Sequence, residues 1–558
     1  MPTSCALPLS GASLAVPGPL AGHPLRPGTD TDTEPSGLDR ARARLATRLL
    51  AAAGPDGLLR APCDSRILES ALALRLLTVT GVDPDAQERL TRYLKIALDE
   101  GAPDPVQEAA ARAALGEYVD GRAALNRLLG GFDHFTAARK RLMFRTVLAE
   151  LGAHPFPELS SSGDPGDTVA LFEGRGQQRW LVTEMAALKT LYAFGTGVPH
   201  LVTEDDWRAL APCALPGPPP YGNHLARLLG LLALRLRPGH AATVRARARE
   251  LRTWLRGDGG LPFLSGMDVF ATATGGLALA GAGAPAHTLR ALAAALMERQ
   301  NPDGGWGFGR STGQSDVDDT SYCVEFLRAS APERCGGAVA AAVRYLLDRQ
   351  GGDGGFPTFE PGNASEVAIT AAAVNALAPE PGHRAAVEAA VRFVVERQEE
   401  QEAAGSFERS WSLNESNALF RGVLAYDSFR AVAPPGHALA AGVARARARA
   451  VARLVATQNA DGGWGHLPAD ASDPISTAYA LIAVSRGRDG PAAPCAPTAR
   501  GATERAVRHL LARRGPDGGF VSRPDQAGPR PLAYHVPLLA DVCVLLGLNH
   551  ARAAGLPG

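Results

Sequence analysis

The chain has 558 residues, of which 46% are hydrophobic, 20% charged and 6% aromatic, and Lys+Arg and Asp+Glu both stand at 57 for a net charge of zero. That length exceeds one ordinary core and suits two or three domains of a soluble globular protein. The charge balance excludes the basic stripe that nucleic acid or an anionic bilayer would require, and no apolar run reaches the roughly 18 residues of a membrane span.

Residues 1–37, rich in Pro, Gly, Ser and Thr, are expected to be a disordered N-terminal segment. Their first twenty residues lack the basic stretch of a secretory signal. The seven cysteines form no C-x-x-C pair, so free thiols in a reducing, cytoplasmic compartment are expected. From Leu38 onward Ala/Leu/Arg-rich stretches such as LDRARARLATRLLAAAG and HTLRALAAALMERQ place apolar residues at three- and four-residue spacing. Gly- and Pro-rich turns separate them and no strand alternation emerges, so the chain reads as all-α.

A repeat overlies these helices. Asp-Gly-Gly occurs at Asp258, Asp303, Asp353, Asp461 and Asp517, with a degenerate copy at Gly405-Ser406-Phe407, a period of about fifty residues. Several copies follow a Gln (Gln300, Gln350, Gln458) and precede an aromatic (Trp306, Phe356, Trp464, Phe520), which helix packing accounts for. Some ten residues on, Asp268, Asp316, Glu366, Glu415 and Asp473 each open another apolar helix. Two helices per repeat joined by a glycine turn point to a closed double ring, an α/α barrel. A stacked solenoid would not need such glycine-aromatic tracts. In the ring the inner helices' N-termini, with their caps and partial positive charge, meet at one end of a central cavity.

One repeat carries three acids there: Asp316-Val317-Asp318-Asp319-Thr320-Ser321. Asp and Thr are ordinary helix caps, but the other repeats manage with one acid at this place. With this motif the chain resembles the class II terpene cyclases, whose acid motif is D-x-D-D-T-A and whose Q-x-x-D-G-x-W repeats match Gln300–Trp306 and Gln458–Trp464. The resemblance covers about residues 38–558. It implies two α/α-barrel domains, a β domain at 38–60 plus 249–558 and an inserted γ domain at 61–248, with no class I α domain. Glu204-Asp205-Asp206-Trp207, the nearest text to a D-D-x-x-D motif, lacks the second aspartate and reads as a helix start.

The resemblance implies a reaction. Such enzymes protonate a terminal alkene and let neighbouring double bonds capture the cation, so the donor has to be a neutral carboxylic acid in a dry pocket. By correspondence Asp318 is the donor, and Asp316 and Asp319 orient and polarise it. The diphosphate survives, bound where β meets γ with Mg²⁺ sharing its charge. Lys189 is the expected phosphate contact, and Glu158, Asp164, Asp167 and Glu173 are the expected metal ligands. Trp411, Tyr322, Tyr479 and Tyr534 are expected to face the cation. The family's W-H-x-S-P-Y-Y-A-T segment is here Trp411–Leu419, which loses the His, the Pro and both Tyr and brings in Asn414, Glu415 and Asn417. One of these polar groups is a candidate to take the final proton.

The expected substrate is geranylgeranyl diphosphate, giving a copalyl-type bicycle. The alternative is farnesyl diphosphate, giving a drimenyl-type bicycle. In either case a downstream terpene synthase or phosphatase would use the product. Rival readings are a prenyltransferase-like zinc site, for which Asp319 and Cys323 have the wrong spacing, a squalene-type cyclase, and a non-catalytic α/α-barrel scaffold.

Overall fold

The computed structural model describes residues 36–130, 137–156, 165–174, 176–487 and 496–556. The chain enters helix α1 (Gly37–Ala51) at Ser36, whose Oγ accepts the Asp39 amide at 2.9 Å. Gly37 is therefore helical rather than part of the expected N-terminal tail.

Next come α2 (Ile67–Thr80), α3 (Pro84–Asp99), α4 (Pro105–Ala114), α5 (Gly121–Leu129) and α6 (Ala137–Leu151). They are followed by α7 (Pro165–Ala170), α8 (Arg179–Gly195), α9 (Glu204–Leu210), α10 (His224–Leu234) and α11 (Ala241–Glu250). Helices α2, α4, α6, α8 and α10 close into a ring, with α3, α5, α9 and α11 packed outside it.

The remaining helices are α12 (Asp268–Gly281), α13 (Ala286–Met297), α14 (Val317–Ser330), α15 (Gly336–Leu347), α16 (Val367–Leu377) and α17 (Arg384–Ala404). Then follow α18 (Glu415–Val432), α19 (Ala440–Ala456), α20 (Pro474–Arg486), α21 (Ala496–Arg513) and α22 (Leu538–Ala553). The even-numbered ones, α12 to α22, form a second and larger closed ring. The odd-numbered ones surround it, and α1 fills the last outer place against α22. The molecule is all-α and built as a pair of double rings. Among the described residues the only strand pair is β1 (Gln526–Ala527) with β2 (Ala533–Tyr534), antiparallel in the loop before α22.

Inner helices are buried on nearly every side, so their apolar residues run around the whole circumference, as in α16, VAITAAAVNAL. Each repeat is tied to the next inner helix through its turn. Three residues past the turn aspartate, a backbone amide donates to an inner-helix side chain. Trp306 donates to Thr320 Oγ1 at 2.9 Å, Phe356 to Thr370 at 2.8 Å, Trp464 to Thr477 at 3.0 Å and Phe520 to Asp541 at 2.8 Å. The Gln before the turn spans two helices. Gln300 Nε2 reaches Gly304 O and Ala338 O at 2.7 and 2.8 Å, and Gln350 and Gln458 repeat the arrangement.

The same bond corrects the repeat register at the insertion. The turn at Asp258 does not serve α12, the helix opened by Asp268. Its Leu261 amide donates to Ser70 on α2, closing the smaller ring. The turn that serves α12 is Asp56-Gly57, directly after α1, where the Leu59 amide donates to Thr272 at 2.8 Å. The inserted ring has exchanged the two turns.

Gly304 shows why these turns need glycine. Its φ is +89°, and a Cβ there would lie 2.7 Å from Ala341 O, on the neighbouring outer helix. Gly304→Ala is expected to cost about 1–3 kcal/mol, lowering the thermal midpoint by several degrees. Gln300→Ala, which leaves the backbone geometry alone, should lower it less; circular dichroism melts check both.

Candidate active site

A cavity of about 790 Å³ lies where the two rings meet, at the N-terminal ends of the larger ring's inner helices. Phe263, Met267, Phe270 and Phe308 supply much of an apolar wall. Trp180, from α8 of the smaller ring, meets Trp411 edge-on at 6.5 Å across the junction. Behind Phe270 and Arg421 a second chamber of about 340 Å³ runs into the larger ring.

Asp316, Asp318 and Asp319 all face the main cavity. Asp316 is the N-cap of α14, and its Oδ1 accepts the Asp319 amide at 2.8 Å. The Asp316 and Asp319 carboxyls also hydrogen-bond to each other. Burial pushes Asp316 up to about 7, and burial together with the Asp316 charge pushes Asp319 well above the carboxylate range. Two touching buried carboxyls cannot both ionise, so this pair keeps a proton. Asp319 Oδ1 has no hydrogen-bond partner among the described residues, as suits a neutral acid at an apolar wall.

Asp318 has a different environment. Arg421, on α18, grips it with both Nη atoms, Nη2 to Oδ2 at 3.2 Å. The guanidinium is buried, lies 5.1 Å from the Tyr322 ring centroid and is held strongly charged by Asp318. This bidentate pair fixes the Asp318 side chain at the cavity wall, between Asp316 and Asp319.

The other expected residues scatter. Trp411 lines the cavity, and its indole N–H donates to Thr358 Oγ1 at 2.9 Å. Tyr534 and Asn417 line it too. Tyr322 and Tyr479 line the inner chamber instead, with Tyr479 stacked on Phe420 at 4.8 Å. Asn414 is turned away, its amide donating to buried Asp525 at 2.5 Å, and Glu415 pairs with Arg453 outside the cavity. Lys189 is corrected as a phosphate contact: its Nζ is paired with Asp206 at 2.8 Å, away from the cavity lining. Of the expected Mg²⁺ ligands, Glu158, Asp164 and the Asp167 side chain lie outside the described residues, and Glu173 is an exposed carboxylate. Among the described residues no group of three His, Cys, Asp or Glu could hold an ion.

The basic group at the junction was not singled out in the sequence, although Lys140 is one of only three lysines. Lys140 on α6 is desolvated, which pulls it below the usual lysine range. It lies within electrostatic reach of Arg139, of Arg530 in the β1–β2 loop, and of buried Glu184. Glu184 accepts from Asn223 Nδ2 at 3.0 Å, and Asn223 lines the cavity. Through Glu184 and Asn223 this basic group is linked to the cavity lining.

Residues 265–413 match the prenyltransferase alpha-alpha toroid domain family. The chain is 53% identical over 538 residues to the drimenyl diphosphate synthase of Streptantibioticus cattleyicolor, an alignment covering 94% of this chain and 97% of that one. It is 52% identical over 546 residues to the drimenyl diphosphate synthase of Streptomyces showdoensis, covering 95% and 98%. Its fold is similar to that of ent-copalyl diphosphate synthase from Streptomyces platensis, with a TM-score of 0.56 and 18% identity, over 93% of this chain and all of that one. Among the described residues no helix is long and apolar enough to cross a membrane.

The proton-sharing pair makes stability pH-dependent. Carboxyls whose folded pKa is raised stabilise the fold fully below the unfolded value of about 4, and that stability is lost as pH rises through about 7 and beyond. Denaturant unfolding at pH 8.5 should therefore show lower stability than at pH 5.5. Asp319→Asn, neutral at every pH, should flatten that slope.

Proposed function

The chain belongs to the class II terpene cyclases, and we propose that it converts farnesyl diphosphate to a bicyclic drimenyl-type diphosphate. The reaction begins by proton transfer to the terminal alkene and leaves the diphosphate attached. Geranylgeranyl diphosphate, the substrate first expected, gives way because both similar full-length proteins are named for a drimenyl product. A non-catalytic scaffold is set aside, since these relatives are named as synthases.

The observation that carries the chemistry is the proton-holding Asp316–Asp319 pair beside Asp318 at the wall of an apolar cavity. An alkene is a very weak base, so its protonation needs a strong acid and no competing water. Asp318 delivers the proton. Arg421 fixes its position, and the flanking pair holds the proton that loads it. Trp411, Phe270 and Phe308 line the cavity in which the chain folds, and aromatic faces stabilise the tertiary cation as it moves. Arg139, Lys140 and Arg530 hold the diphosphate, so the anchored end stays at the junction while the hydrocarbon tail reaches Asp318.

Incubation with farnesyl and geranylgeranyl diphosphate, analysed by mass spectrometry before and after phosphatase, tests this. The expected product is a fifteen-carbon bicycle that still carries diphosphate. A free alcohol or hydrocarbon with release of pyrophosphate would overturn it. Asp318→Asn should lower kcat by ~10²-fold or more with the helical fold intact. Lys140→Ala should raise KM about tenfold and leave the product pattern unchanged, since it touches only the anchored end.

A further inference from the structure

Cyclisation ends when a carbon beside the last cation gives up a proton, so the cavity needs an acceptor as well as an acid. Two hydroxyls on its wall, Thr358 and Ser410, have their own protons directed away from it, both onto one carboxylate. Thr358 Oγ1 donates to Glu366 Oε1 and accepts the Trp411 indole N–H at 2.9 Å. Ser410 Oγ donates to Glu366 Oε2 at 2.6 Å. Each oxygen keeps a lone pair for the cavity. Ser410 is held at φ +28°, a left-handed backbone that a serine adopts only under constraint. The Val317 amide donates to Thr358 O at 2.9 Å, which sets this pair of hydroxyls beside the aspartates that start the reaction.

We infer that Thr358 and Ser410 take the terminating proton and pass it to Glu366. This rests on the cyclase reading above. In the step, a C–H bond next to the tertiary cation breaks and its electron pair becomes the second bond of the ring alkene. The proton goes to a hydroxyl oxygen while the hydroxyl's own proton moves to Glu366, so the cation is discharged and the carboxylate becomes an acid. Glu366 is the N-cap residue of α16, so its carboxylate stands at the same end of the ring as the aspartates. Glu408 lies within electrostatic reach, its carboxylate accepting the Val367 amide at 3.0 Å, and is pushed up to about 7 by burial and by the Glu366 charge. It is the next carrier toward solvent, both carboxylates being only half-buried. The competing hydroxyl–carboxylate pair on the wall, Ser412 with Asp525, is less suited. Asp525 already accepts from Ser412, Asn414, Tyr479 and Gln526 and is sealed from solvent.

Glu366→Gln keeps the shape and can still hydrogen-bond, but it cannot accept the proton. With farnesyl diphosphate it should consume substrate while forming the wild-type alkene ~10²-fold more slowly, diverting the cation to water-captured alcohols and isomeric alkenes. The Thr358→Val/Ser410→Ala double variant should give the same diversion, and it serves if Glu366→Gln fails to fold. A merely structural role would lower all products together at a fixed ratio, so an unchanged ratio overturns the inference. So does a folded Glu366→Gln that leaves substrate unconsumed, which would give Glu366 a different step. Diversion by Asp525→Asn alone would move termination to Ser412–Asp525. If the wild-type protein converts no farnesyl diphosphate, the farnesyl reading fails first, before any variant is compared.

Discussion

Asp316 and Asp319 share a proton because they touch and because water is kept from them. Either condition alone would be insufficient: separated buried carboxyls would each need a partner, and touching solvated ones would both ionise. The architecture around α14 serves both conditions. The cap geometry at Asp316 brings the carboxyls together. The closed ring removes water from one side of them and the smaller ring covers the other.

That cover is held by specific bonds across the junction. Gln314, just before the acid motif, accepts the Arg179 amide at the start of α8 at 2.9 Å. Arg66 forms a buried ion pair with Glu69 at 2.5 Å, lies 4.3 Å from the Phe263 ring centroid and donates to Gly528 O at 2.6 Å. A charge buried this deeply is tolerated only with its partners in place. Arg66 therefore ties three things together: the entry to α2, the aromatic wall, and the loop that carries Arg530 and Tyr534.

How much of this could be read from the sequence depended on whether the signal was local. The helical period, the glycine turns and the Asp316–Asp319 motif lie within short windows, and the ring and its acid end followed from them. Arg421 had no such signal. It is 103 residues from Asp318, in a chain whose basic residues are nearly all arginines, and only closure of the ring brings the two together. Trp411 was legible as a cavity residue, but Asn414 was not, because whether an amide faces the cavity or Asp525 is decided by packing. Lys189 drew notice for its rarity and its nearby glycine turn, yet a capping aspartate one helix away already held it. Lys140 was as rare and had no motif around it. The exchange of turns at the insertion was hidden for a similar reason. Asp258 and Asp268 look like consecutive parts of one repeat, and only their hydrogen bonds show that they belong to different rings.

The placement of α1 bears on how the molecule is made. This helix leaves the ribosome before the other described helices and its ring partner α22 after them, yet the two are stitched by Arg42 to Asn549 and Arg552 to Asp39. The smaller ring, with its closing turn at Asp258, is contiguous in sequence, so it can be complete before any helix of the larger ring beyond α1 is made. Until α22 arrives, α1 has to wait with Leu38, Ala41, Leu45 and Leu49 uncovered. Contacts of such sequence separation form slowly, and exposed apolar faces during synthesis invite aggregation.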